Sequence, residues 1–358
     1  MRFPEFSGEW VSKTIGDIAP LQRGFDLPTG QINNGKFPVV YSNGIMNYHS
    51  SYKCVAPGLI TGRSGTIGKF TYIEDGYYWP HNTSLWVTDF YDNNPQFIYY
   101  LYQTIRIEQY STGSGVPTLN RNNVHRHKTF IPKLKEQNKI ATILSLLDER
   151  ISTQTKIIED LKKLKCAIIE KLYSKIQGKE YSFGQLFEVV NERNKQMKYS
   201  NILSASQEKG MVNRDDLNLD IQFERSNINT YKIVRAGDYV IHLRSFQGGF
   251  AFSDKLGVCS PAYTILRPKE VLEYGYLSYF FMSRQFIKSL ILVTYGIRDG
   301  RSINVEEWLG MKTKLPSKEE QRKILNVLCC FDEKIQNEEN MLNKLSKQKQ
   351  YLLRQMFI

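Results

Sequence analysis

The feature that most constrains this chain is that it repeats itself over a long period. The segment Ile131 to Ile151, IPKLKEQNKIATILSLLDERI, recurs 184 residues later, without a gap, as Leu315 to Ile335, LPSKEEQRKILNVLCCFDEKI. Nine of the 21 positions are identical, among them Pro132/Pro316, Glu136/Glu320, Gln137/Gln321, Ile140/Ile324, Leu144/Leu328, Asp148/Asp332 and Ile151/Ile335. A repeat of this length marks a doubled architecture.

After each proline, apolar residues continue at alternating steps of four and three, which is the seam of a long helix. The first copy carries Ile140, Leu144, Leu147, Ile151, Ile158, Leu161, Ile168 and Leu172; the second carries Ile324, Leu328, Phe331, Ile335, Leu342, Leu345, Leu352 and Met356. Neither run contains Pro or Gly. Each is predicted to be one helix of about 40 residues, about 60 Å long. A stripe this narrow does not make a globular core face, so the two helices are expected to pair with each other. Ile140, Leu144, Ile151 and Leu161, with Ile324, Leu328, Ile335 and Leu345, are the pairing residues. Glu136, Gln137, Glu320 and Gln321 serve either the helix starts or a partner interface.

The order is therefore domain, helix, domain, helix, with boundaries at 1–132, 133–177, 178–316 and 317–358. The domains echo each other at their ends. Ile15-Gly16-Asp17-Ile18 faces Phe183-Gly184-Gln185-Leu186, Gly58-Leu59-Ile60 faces Asp238-Tyr239-Val240, and Thr118-Leu119-Asn120 faces Ser302-Ile303-Asn304. Their middles diverge, as one scaffold bearing two surfaces would. Short β-rich runs alternate with Gly, Asn and Pro turns, and helices are predicted at Pro95 to Gln109 and Val271 to Leu292. The fold class is α+β, with β-rich mixed domains separated by two long helices that form an antiparallel coiled coil with a pseudo-twofold repeat.

Catalytic signatures fail one by one. Asn93-Asn94-Pro95-Gln96-Phe97 has Gln96 where an amino-methyltransferase motif needs a second proline, so it reads as a helix start. Gly62 to Lys69 is not a phosphate-binding Walker loop, because Phe70 replaces the Ser/Thr that would hold magnesium. There is no Glu-x-Lys tripeptide, and the weak His-x-His of His125 and His127 is no zinc pattern. Five cysteines without a C-x-x-C pair fit reduced thiols, and no apolar run is long enough for a membrane span. The charged N-terminus argues against export, so a cytoplasmic location is expected.

Lys and Arg number 48 against 36 Asp and Glu, a net charge of +12 that suits either a polyanionic partner or a merely basic soluble protein. Sequence readout in the major groove needs Arg, Asn, Gln, Ser and Thr on defined loops. In the first domain the candidates are Tyr41, Ser42, Asn43, Thr61, Arg63, Ser64, Thr66, Lys69, Ser114 and Asn120. In the second they are Ser204, Gln207, His242, Arg244, Ser245, Gln247, Tyr295, Arg298 and Arg301. The competing reading of each loop is a plain surface turn.

Phe6-Ser7-Gly8-Glu9-Trp10, Ile15-Gly16-Asp17-Ile18, the Gly62–Lys69 loop and the twice-occurring Pro-x3-Glu-Gln-x-x-Ile resemble the specificity subunit of type I restriction-modification enzymes over the whole chain. The resemblance implies two target recognition domains, each reading one part of a bipartite site on double-stranded DNA in a prokaryotic cell. It also implies that the helices dock modification subunits, two in number, and through them restriction subunits. S-adenosylmethionine, ATP and Mg would be held by those partners, with no cofactor or catalytic site in this chain. Two other readings stay open: an adaptor whose coiled coil joins two protein-binding domains, and a stand-alone DNA-binding or decoy protein.

Overall fold

The computed structural model describes residues 2–113, 117–206, 209–216, 225–242, 249–295 and 302–357. The chain forms two compact units, Met1–Lys156 with Asn340–Ile358, and Ile157–Glu339. Each unit holds one β-rich domain and one half of each long helix.

The absence of helix breakers is expressed directly: Leu134–Ser174 is one helix of 41 residues and Lys318–Met356 one of 39. In the second unit Lys165 pairs with Asp332, and Lys162 with Glu339 at 2.7 Å, so the numbers fall along one helix as they rise along the other. The pairing is antiparallel. The same sense holds in the first unit, where Ile140, Ala141 and Leu144 share a core with Met356 while Asp148 pairs with Lys349. Leu144 and Leu328 are fully buried, Ile140, Ile324, Ile335 and Leu345 nearly so, and Ile151 and Leu161 half-buried.

Each domain is built on the same four-stranded antiparallel sheet. In the first unit its order is Leu21–Arg23, Ser84–Val87, Gly58–Gly62, Phe70–Ile73; in the second it is Phe187–Val190, Thr264–Pro268, Tyr239–Ile241, Phe250–Phe252. Because successive strand residues point to opposite faces, Leu59 joins the core against the long helices and Ile60 a smaller core with Val40, Cys54 and Tyr78. Tyr239 and Val240 split the same way in the second unit. Both faces of the central strand are thus buried, which is why those two runs read as continuously apolar.

What covers the far face differs. The first unit uses a second sheet of Gly44–His49, Phe37–Tyr41, Tyr77–Pro80 and Cys54–Val55. The second unit uses two separate pairs, Leu203–Ser206 with Gly210–Asn213 and Lys232–Val234 with Gly257–Cys259. The similar ends have a plain structural cause. The first and last strands of each domain pair with each other, Val11–Thr14 with Lys128–Ile131 and Lys179–Ser182 with Lys312–Leu315.

The predicted domain helices are shorter than expected. Pro95–Thr104 stops at extended Ile105 and is followed by a single 3-10 turn at Ile107–Tyr110. The second divides into Tyr276–Phe280 and Arg284–Ser289, preceded by Gly275 at φ +77° and interrupted where the Ser283 hydroxyl accepts a hydrogen bond from the Phe286 amide at 3.2 Å. A serine that offers its own oxygen to the backbone starts a new helix where apolar periodicity alone reads as one.

Candidate nucleic-acid interface

In the first domain the candidate readers come together around one loop. The loop leaves the central strand at Gly62, where a Cβ would collide with the Thr66 carbonyl, so only glycine lets the chain fold back this tightly. Arg63 is half-buried; its amide donates to the Thr83 carbonyl at 2.9 Å and its carbonyl accepts from the Leu119 amide at 2.7 Å. Its guanidinium reaches only the Asn82 carbonyl at 3.5 Å, and among the described residues it has no carboxylate partner. Ser64 bridges Thr118. Lys69 donates to the Asn43 carbonyl at 3.0 Å, tying the loop to the Tyr41–Gly44 turn. The Tyr41 ring lies 4.2 Å from the His81 ring, and Thr66 and Asn43 are exposed.

Two candidates are placed otherwise. Thr61 is 2% exposed within the central strand, so it underlies the loop and cannot present its hydroxyl to a groove. The Asn120 side chain caps the short helix Arg121–His125 by accepting from the Asn122 amide at 3.0 Å. The patch also holds His81, Asn82 and Thr83, together with Asp26, whose carboxylate pairs with the Asn82 side chain. Nothing in the sequence near Arg63 points to these residues; strand pairing alone brings them in.

In the second domain Ser204 is half-buried on Leu203–Ser206. His242 leaves Tyr239–Ile241 as Gly62 leaves its strand, and its amide donates to the Gly249 carbonyl at 2.8 Å. Its ring is half-buried, the Nε2 atom has no hydrogen-bond partner among the described residues, and burial holds its pKa below the ordinary value. Tyr295 lies on the hairpin of Thr294–Tyr295 with Ser302–Ile303, the counterpart of Ser111–Thr112 with Thr118–Leu119. Ser114, Gln207, Arg244, Ser245, Gln247, Arg298 and Arg301 lie outside the described residues.

The helix-start residues have sharper roles than capping. Gln137 donates to the Pro132 carbonyl and to the Asn93 side chain, both at 3.0 Å, and accepts from the Asn94 amide at 2.9 Å. Gln321 repeats this with the Pro316 carbonyl at 3.0 Å, the Val271 carbonyl at 3.2 Å and the Glu273 amide at 2.8 Å. Each glutamine therefore fastens its domain to the long helix. Glu136 is buried, accepting from Arg2 Nε and Nη2, each at 2.8 Å, and from the Trp10 indole at 3.3 Å, whereas Glu320 is exposed. Sharing a motif position has not given the two glutamates one role, because only the first meets an arginine from the N-terminal segment.

The motifs set aside in the sequence have their own places in the fold. Asn94 caps Pro95–Thr104 by accepting from the Phe97 amide at 2.8 Å. His125 Nε2 accepts from the Leu21 amide and His127 Nδ1 meets Tyr110, so the two rings have separate partners. Among the described residues no group of three or more His, Cys, Asp or Glu is placed to hold a metal ion, and no helix is long and apolar enough to cross a membrane.

The type I restriction modification DNA specificity domain matches this chain twice, at residues 7–163 and 177–347. The chain belongs to this family. It is a type I specificity subunit, and its two matched stretches coincide with the two sheet-and-helix repeats described above. The type I restriction enzyme MjaVIII specificity subunit of Methanocaldococcus jannaschii is 26% identical over 296 residues, 71% of this chain and 68% of that protein. The crystal structure of the type I restriction-modification S subunit from M. genitalium has the same fold, with a TM-score of 0.62 at 16% identity over 100% of this chain and 99% of that one. A chain from a structural study of complex assembly and conformational transition of the type I R-M system matches with a TM-score of 0.58 at 14% identity over 98% of each.

Proposed function

We propose that each domain of this specificity subunit reads one part of a bipartite, asymmetric DNA target, and that the paired helices position modification subunits, two of them, and through them restriction subunits. The observation that carries this reading is one scaffold used twice with different side chains at the same exit from the central strand. Gly62-Arg63-Ser64-Gly65 leaves it in the first domain and His242 in the second. Arg63, on a backbone anchored at both its amide and its carbonyl, suits a guanine edge, while Lys69 suits a phosphate. Different exits imply different half-sites. The helix length would act as a ruler between them.

In this reading S-adenosylmethionine, ATP and Mg belong to the partner subunits, and this chain supplies sequence selection alone. The test is to incubate DNA and S-adenosylmethionine with the purified chain, and then with the chain plus its modification subunit, and to map methylated adenines. The expected result is no methylation by the chain alone, and with the partner a two-part motif of fixed spacing. Methylation by the lone chain, or a motif in a single block, would overturn the proposal. Removing four residues from the first helix, about 6 Å, is expected to change the spacing and leave both half-sites intact. DNA affinity of the complex is expected to fall steeply between low and physiological salt, whereas an adaptor would bind no DNA.

A further inference from the structure

The side chain of Glu108 is laid directly on the Arg63 loop, over Gly68. Its carboxylate covers Gly68 so closely that any side chain at that position would overlap Oε1, and Gly68 has a φ of +82° that disfavours side chains independently. The sequence at 62–69 therefore leaves a gap that Glu108 fills. The glutamate stands on a rigid pedestal. Neighbouring Ile107 is fully buried, the Ser111 hydroxyl donates to the Glu108 carbonyl at 2.7 Å, and Tyr110 is fixed by His127 at 2.8 Å.

Among the described residues the carboxylate has no hydrogen-bond or ion-pair partner, although two cations lie on the same loop. Lys69 donates to the Asn43 carbonyl and Arg63 points to the Asn82 carbonyl. An ionised carboxylate accepts hydrogen bonds and donates none. Set against phosphates it costs binding energy, so on a DNA-facing loop its place is justified by a donor. In the major groove the donors are the N4 amino group of cytosine and the N6 amino group of adenine, and a carboxylate suits the cytosine.

We propose that Glu108 is a specificity determinant that reads a cytosine, through its N4 amino group, in the half-site of the first domain. This rests on the reading of that domain as a DNA reader, and it assigns one base to one residue. Arg63 and Glu108, a donor fork and an acceptor on one loop surface, would together read a guanine and a cytosine.

The experiment maps methylated sites made by the complete complex with the natural chain, with Glu108→Gln and with Glu108→Ala, after thermal melting confirms that each variant is folded. The natural chain is expected to require cytosine at one position of the half-site that Arg63→Ala also disturbs. Glu108→Gln should move that position towards adenine, because an amide both donates and accepts. Glu108→Ala should relax it by roughly ten- to hundred-fold. Motifs identical to the natural one in both variants would overturn the proposal, as would a uniform change on all sequences, which would make Glu108 an electrostatic brake. A natural complex with no sequence preference at all would instead sink the DNA-reading assignment itself.

Discussion

Asp148 binds Lys349 across the helix pair at 2.6 Å and accepts a hydrogen bond from Tyr100 of the first domain at 2.9 Å. Asp332, its counterpart 184 residues on, does the same with Lys165 and with Tyr279 of the second domain, the tyrosine bond measuring 2.6 Å. Each lysine also lies over the tyrosine ring, Lys349 at 5.6 Å and Lys165 at 4.9 Å. One carboxylate thus ties together two helices and a domain, twice. The polar interruptions of an otherwise apolar seam are the places where its register is set, because a slip would leave partly buried charges unpaired.

Reversing one charge, as Asp148→Lys or Lys349→Asp, should destabilise the protein by about 1–3 kcal/mol, between the values for exposed and buried pairs. The double exchange should recover part of that loss. A double-mutant cycle from denaturant unfolding measures the coupling, and additive losses would show that the pair has no part in holding the register.

Gln137→Ala is expected to cost roughly 2–4 kcal/mol, because it leaves the Asn94 amide and the Pro132 carbonyl without their side-chain partner. Gln321→Ala should match it. Glu320→Ala, at an exposed position, should stay within about 0.5 kcal/mol. Comparing the three unfolding midpoints separates a fastened domain from a shared motif letter.

Stability should fall on acidification. His81, His125, His127 and His242 are all held below the ordinary histidine pKa by burial, which disfavours the charged ring. The unfolded chain takes up these protons first, once the pH drops below about 6.5. The stability is therefore whole above that pH and is lost as the pH falls through the folded values. Melting temperature followed from pH 8 to pH 5 should decline in this window. His125→Gln, whose amide oxygen can still accept from the Leu21 amide, should flatten the decline.

At the interface, Arg63→Ala is expected to weaken one base position by about 1–3 kcal/mol, and Lys69→Ala to weaken all sequences alike and lower the salt slope by about 1. Competition binding of the assembled complex against single-base variants of the target distinguishes the two. A uniform effect of Arg63→Ala would move that residue to the phosphate class.

The doubled plan, the two unbroken helices and their apolar seam were open to reading from the residues, because helix periodicity and repetition are local in sequence. So was Asn94 as the point where a helix begins, since a cap acts on its own next turn, whereas Asn120, read as a base contact, proved to be the cap of Arg121–His125. The fate of Glu136 and Glu320 was not legible, because it turns on whether Arg2, 134 residues away, arrives beside one of them. The burial of Thr61, the company that His81 and Asn82 keep with Arg63, and the seat of Glu108 on Gly68 were likewise decided only by strand pairing and close packing. Periodicity records which face of an element is buried. Which side chains meet across that face depends on contacts between residues far apart in the chain, and no local pattern encodes those.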